Sequence, residues 1–499
     1  MGPADCSAAD PRAVAGDKVG AMALHPRLAG PTRAASWVLA ALLPAAGATG
    51  APAESPRTLR VEYVHAGDAS VETFALSRVI QEGPWPGRLD RTVDETNLGK
   101  YLFEVRDRGT NRLLHSRGFA SVYGEWETTG EAKEVRRAFT ESLRFPEPAG
   151  PVQVILKKRD RRQVFREVFS FVVDPRATAV ERAAPPLGLR VWAVQESGPP
   201  REKVDLLLLG DGYTAAEMDK WHADARRLAE TLFAVSPFKE RRADFNVWAI
   251  DAPADESGVS RPSEGVHRRS PFRAGYDAFG TERYVLVEGE RWRELAAAAP
   301  YEFVEVVLNE RKYGGGGIHN LYATAAADNA FAPYLLVHEF AHHFAGLADE
   351  YYTSDVAYEQ GGERAEPWEP NVTADPRAAK WADLVPAGTP LPTPWAKAEF
   401  EALEREIQAR RRQIRGEGRP EAEMEALFRE SSARGAPLLA ASPHAAGAFE
   451  GANYEARGSY RPRADCLMFS RNPVGFCPVC RRALERVIDL YAGKAAGPS

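Results

Sequence analysis

Val337-His-Glu-Phe-Ala-His-His-Phe-Ala-Gly-Leu-Ala-Asp-Glu-Tyr-Tyr352 is the stretch from which the rest of the chain is read. His338 and His342 stand four residues apart in it, with Glu339 beside the first. On a helix, positions i and i+4 share a face, so both imidazoles can meet one metal ion while Glu339 stands next to it as a base. Histidine makes up only ten of 499 residues, so a chance His-acid-x-x-His arises in about one such chain in fifty. The surroundings therefore decide. Leu335, Leu336, Phe340 and Phe344 give the helix, read from about Asn329 to Ala345, apolar faces that belong in a core. Polar side chains on a buried helix need partners, and a metal beside a solvent cleft is one. Gly346, just past the apolar run, can take the left-handed conformation that ends a helix and turns the chain back toward the ion.

Two histidines leave a zinc ion short of its usual three protein ligands. The metzincin pattern places a glycine three residues after the second histidine and the ligand six after it. Here Gly346 follows by four and Asp349 by seven. Asp349 is the favoured third ligand, Glu350 its nearest rival, and His343 a weaker one because it lies off the face shared by the other two.

A chain of 499 residues is too long for one ordinary core and points to two or three domains. A formal charge of −6 on 64 basic and 70 acidic side chains, with no basic run interleaved with aromatics, argues against nucleic acid as a partner. From Met22 the chain reads as an export signal: Arg27 and Arg33, the apolar run Trp37–Leu43, then small residues through Ala51. The run is well under the ~20 residues of a membrane span. Residues 1–56 are therefore read as a leader, and the mature protein as secreted or periplasmic, with no stable membrane span. Three cysteines crowd together at Cys466, Cys477 and Cys480. In an oxidising compartment one structural disulfide among them, of undetermined pairing, is favoured over a metal or redox role.

Residues 57–175 alternate apolar and polar, as at Leu59, Val61 and Tyr63 or Val152, Val154 and Leu156, which predicts an antiparallel β-sandwich. It is either a binding module or a packing accessory. Residues 176–203, with Pro185-Pro186 and Pro199-Pro200, read as a linker. Val204–Leu209 is a strand buried on both faces, followed by a capping box at Thr214 and Glu217 and a helix with Trp221, Ala225, Leu228 and Leu232 on one side. Phe245–Ile250 and Phe303–Leu308 are further strands. The polar excursion 251–277 is a candidate rim for a site. Gly314–Gly317 reads either as an edge strand able to pair with extended substrate or as a surface loop. Residues 395–432 read as a helical hairpin inserted in the domain 204–492.

The Val337–Tyr352 string resembles the signature of the IgA-peptidase-like zinc metallopeptidases. So do Tyr313–Gly317, Gly447–Gly451, Tyr460–Pro462, Cys466–Met468 and Phe476–Cys480. Ala341, where glycine is expected, and the 395–432 insertion depart from the pattern. The resemblance implies an α+β fold, with the N-terminal β-sandwich followed by a zincin-like α/β catalytic domain. It also implies a zinc cofactor held by His338, His342 and Asp349, a protein substrate, a Met-turn at Met468, and Tyr460 or Tyr454 as the donor for the developing oxyanion. Glu339 is the general base of this reading, a secreted zinc endopeptidase. The alternatives are a surface-binding protein with a structural zinc site, and a metal-dependent amidase on small or cell-wall substrates.

Overall fold

The N-terminal strands pack two sheets face to face in the computed structural model, which describes residues 55–183, 188–354, 365–442 and 445–493. The export segment from Met22 to Ala51 lies outside the described residues. β1 (Arg57–Gly67), β2 (Glu72–Pro84), β3 (Tyr101–Asp107), β4 (Leu113–Phe119), α1 (Val122–Trp126), β5 (Arg137–Pro146), β6 (Val152–Arg159), β7 (Phe165–Val173) and β8 (Val180–Arg182) form a β-rich region. Its two sheets run β5-β1-β2-β8 and β4-β3-β6-β7. Leu59, Tyr63 and Phe145 of the first meet Tyr101, Phe103 and Leu156 of the second in one core.

The stretch 176–203 is not simply a linker. It holds β8, which adds to the first sheet beside β2, and β9 (Arg190–Gln195). Neither strand contains a proline, so each keeps the backbone N–H groups that pairing needs while the prolines fall outside them.

A second, mixed sheet follows. β10 (Val204–Asp211), α2 (Met218–Leu232), β11 (Phe245–Asp251), the short pair β12 (Ala274–Gly275) and β13 (Leu286–Val287), α3 (Arg291–Ala296), β14 (Phe303–Leu308), β15 (Gly315–Ile318), β16 (Tyr322–Ala326) and α4 (Ala332–Ala345) come in that order. The sheet order is β15-β16-β14-β10-β11-β9. Its four inner strands are parallel, and both edges are antiparallel. The continuous apolar run of β10 is explained by burial on both faces. Leu206 and Leu208 join the cluster that includes Trp221 of α2 and Phe340 and Phe344 of α4, whereas Leu207 and Leu209 join Val304, Val306 and Trp292.

The glycine run sets α4 directly on the sheet. A Cβ at Gly317 would lie 2.2 Å from the Glu339 carbonyl oxygen and one at Gly316 2.3 Å from the Tyr284 ring, so neither position admits a side chain. Gly315–Gly317 is thus part of strand β15, with Gly314 just before it. Its outer side is already engaged at Gly315, whose N–H donates to the Arg283 carbonyl at 3.0 Å and whose oxygen accepts from Val285 N–H at 3.2 Å.

The remaining elements are α5 (Lys397–Gly416), α6 (Glu421–Ala440), β17 (Phe449–Ala452), β18 (Glu455–Arg461) and α7 (Pro478–Ala492). The hairpin α5–α6 extends past the 432 boundary read from sequence. Arg410 forks onto Glu430 at 2.6 and 2.8 Å, and Arg434 onto Glu406 at 2.7 Å. Its apolar side packs near α4, with Phe428 edge-on to Tyr313 at 5.1 Å and Phe400 against Phe469 at 5.2 Å. The whole is a mixed α+β protein with an N-terminal β-rich region.

Candidate active site

Gly346 ends α4 in the left-handed conformation (φ 58°, ψ 36°), its N–H donating to the His342 carbonyl at 3.0 Å. The chain then folds back beneath the helix. His338 Nε2 lies 2.9 Å and His342 Nε2 3.2 Å from Asp349 Oδ1, and the two nitrogens are 3.1 Å apart. The far side of each ring is fixed as well: His338 Nδ1 donates to the Leu467 carbonyl at 3.2 Å, and His342 Nδ1 to the Leu347 carbonyl. With both Nδ1 protons committed to carbonyls, the two Nε2 lone pairs and the Asp349 carboxylate face one another as three acceptors. A shared cation relieves that repulsion, and two imidazoles with a carboxylate are a donor set that zinc accepts. The residues present therefore fit the metal.

The electrostatics express the same demand for positive charge. Burial lowers the affinity of the His342 ring for a proton, but Asp349 beside it prevails and its pKa rises to about 9. Burial would raise the Asp349 carboxyl, yet His342 and His338 hold it well below the usual carboxylate range. Glu339 is pushed up by burial, an effect partly offset by the two imidazoles and Arg283. Its ligand atom lies within 4.8 Å of those of both histidines.

The rival ligands face elsewhere. His343 is a core histidine: its Nδ1 donates to the Ile318 carbonyl at 3.1 Å and its Nε2 accepts from Val304 N–H at 3.1 Å. It bolts α4 to β14 and β15. Glu350 points away from the imidazoles, its Oε1 3.3 Å from Cys480 Sγ. The favoured disulfide is not formed, since Cys466, Cys477 and Cys480 are all free thiols.

Of the two tyrosine candidates, it is Tyr454 whose hydroxyl reaches the Asp349 carboxylate. Tyr454 donates its hydroxyl to Asp349 Oδ2, while Tyr460 pairs through its backbone with Thr373. Tyr454 sits at φ 63°, a conformation in the turn between β17 and β18 that no local pattern announces. Tyr351 stands edge-on to Tyr454 at 5.6 Å, and Tyr334 lies 3.1 Å from His338 Nδ1. The turn at Cys466–Ser470 supplies the Leu467 carbonyl to His338 and the Met468 carbonyl to Glu350 N–H at 2.8 Å. Met468 itself is buried.

Sequence reasoning also missed Glu305, the one acid in the apolar strand β14. It is buried with neither carboxylate oxygen hydrogen-bonded. Burial and then the charge of Glu339 raise its pKa well above the ordinary value.

A cavity of ≈ 60 Å³ opens beside these groups, lined by Arg283, Tyr334, His338, Glu339 and Tyr351 on one side and by Phe400 and Glu404 of the hairpin on another. A larger cavity, ≈ 1400 Å³, is elsewhere. It lies between β5 and the 251–277 excursion, lined by Glu141, Arg268 and Tyr276 among others, and shares no lining residue with the smaller one. The excursion thus rims a different hollow, whereas the small cavity is the one lined by His338 and Glu339.

No curated protein matches this chain. A family model described as Peptidase M64 N-terminus matches residues 53–170, and one described as IgA Peptidase M64 matches residues 192–488. The second match spans more than half of the sequence and contains every residue converging on the small cavity, so the chain belongs to the IgA peptidase M64 family.

Proposed function

We propose that this protein is a secreted zinc endopeptidase with a zincin-like catalytic domain, in which His338, His342 and Asp349 hold the metal and Glu339 is the general base. The single observation that carries the reading is the convergence of three acceptor atoms, each fixed by its own framework contact, beside an uncommitted carboxylate and a cavity. Zinc, when bound, supplies a Lewis acid for the scissile carbonyl and for the attacking water. Glu339 takes the proton of that water and delivers it to the leaving amine nitrogen. Burial raises its pKa, which makes it a stronger base and a ready donor in the second step. The Tyr454 and Tyr351 hydroxyls are the donors nearest the Asp349 carboxylate for the developing oxyanion, and Arg283, on the cavity wall, adds positive charge there.

Export rests on the Met22–Ala51 pattern, and a protein substrate on family membership. The test is cleavage of casein by the mature protein with its zinc content measured, before and after Glu339→Gln. Loss of cleavage with zinc retained supports the base; full activity in the variant removes it. The narrowness of the ≈ 60 Å³ cavity favours a second reading, an amidase on small or cell-wall substrates. Hydrolysis of such amides with casein left intact would establish it.

A further inference from the structure

Cys466, Cys477, Cys480 and Glu350 bring one ligand atom each within 4.8 Å of one another, all four residues being at most 1% exposed. They come from three parts of the chain: the start of the loop after α4, the turn at Cys466–Ser470, and the N-terminus of α7. Cys466 and Cys480 have their sulfurs 3.8 Å apart, far beyond the ~2.05 Å of a disulfide. Tetrahedral ligation with zinc–sulfur bonds of about 2.3 Å requires sulfurs about 3.8 Å apart. Glu350 Oε1 is 3.3 Å from Cys480 Sγ, and Glu350 Oε2 has no hydrogen-bond partner. A disulfide would join two of the three sulfurs and leave a thiol and a buried, half-satisfied carboxylate behind.

We propose that these four residues form a second zinc site, a closed Cys₃Glu cage with a structural role. Three thiolates and one carboxylate complete a tetrahedron with no open position, as structural zinc prefers. The excess negative charge is met locally. The N–H of Cys477 donates to Cys466 Sγ at 3.3 Å and that of Cys480 to Cys477 Sγ at 3.5 Å. Both come from the N-terminus of the 15-residue helix α7, where the helix dipole favours anions. The buried guanidinium of Arg461 acts on both Glu350 and Cys466. The cage ties the loop after α4 to α7 and the Cys466–Ser470 turn, and through the bond between residues 349 and 350 it fixes Asp349 under the imidazoles.

The full chain and its His338→Ala/His342→Ala double variant are to be purified without chelator, zinc counted by elemental mass spectrometry, and the coordination shell read by zinc-edge X-ray absorption. The double variant should hold one zinc per chain in a sulfur-dominated shell at about 2.3 Å. If it does not fold, the wild-type spectrum decides, because it must contain that sulfur shell. A shell of nitrogen and oxygen alone, or a disulfide between any two of these cysteines on non-reducing peptide mapping, overturns the proposal. A wild-type chain with a single, sulfur-bound zinc upholds the cage and instead defeats the metal reading of the His338 site.

Discussion

Asp349 turns its carboxylate onto two imidazole nitrogens beside a cavity, whereas Glu350, the next residue, turns its own into three thiols. The first donor set is incomplete and has company: Glu339, Arg283 and Tyr351 line the same cavity as His338. The second is complete, wholly buried and braced by backbone N–H groups. An incomplete set leaves a position for substrate, and a complete one leaves none. On the proposed reading, one dipeptide therefore joins a centre that reacts to a centre that only holds.

The largest effect separates the two directly. Glu339→Gln should lower kcat/KM on casein by about a thousandfold or more while metal content and thermal stability stay as in the parent, measured by steady-state kinetics and calorimetry. Cys480→Ser should do the reverse. Unfolding should become easier by on the order of 3–5 kcal/mol, a fall in Tm of about 5–8 °C, and catalysis well below that Tm should be weakened only as far as Asp349 is loosened. A Cys480→Ser protein as stable as the parent would break the contrast.

Tyr454→Phe removes a donor to the charged Asp349, so kcat/KM should fall about 10- to 100-fold, whereas Tyr460→Phe should stay within about twofold. Equal losses would return Tyr460 to the site. For pH, burial raises Glu339, and a protonated Glu339 cannot accept the water proton. The acid limb of kcat/KM should therefore lie above the ordinary glutamate value of about 4.3. Arg283→Met, which takes away a charge that lowers that pKa, should move the limb higher still.

The smallest effect belongs to Glu305. Its folded pKa is raised, so between the unfolded and folded values the native state holds the extra proton, and stability falls as pH rises through that window. Glu305→Leu should gain about 1–2 kcal/mol at neutral pH, with the charge-linked part of the gain vanishing below about pH 4, as read from denaturant midpoints.

How much of this was legible in sequence follows from distance along the chain. His338, Glu339 and His342 were readable because one helical period brings them together. Asp349 was readable because a single glycine reverses the chain. The cage was not, because Glu350 lies more than a hundred residues from Cys466, and a CxxC with no second pair looked short of ligands. β8 and β9 were hidden because prolines surround two strands that contain none, and the sequence could not choose Tyr454 over Tyr460 because the placement of Tyr454 depends on its own left-handed turn conformation. The role of Glu305 was invisible because one acid in an apolar strand carries no sign of which way it faces.

The most direct measurement is a zinc titration of chelator-treated protein, with casein cleavage and the X-ray absorption spectrum followed together. Mild chelation should abolish activity while the sulfur-bound zinc remains, and one added equivalent should restore full cleavage with a nitrogen- and oxygen-rich shell appearing alongside. Activity that survives until the sulfur-bound metal leaves, or that returns only with it, would contradict the assignment of catalysis to His338, His342 and Asp349.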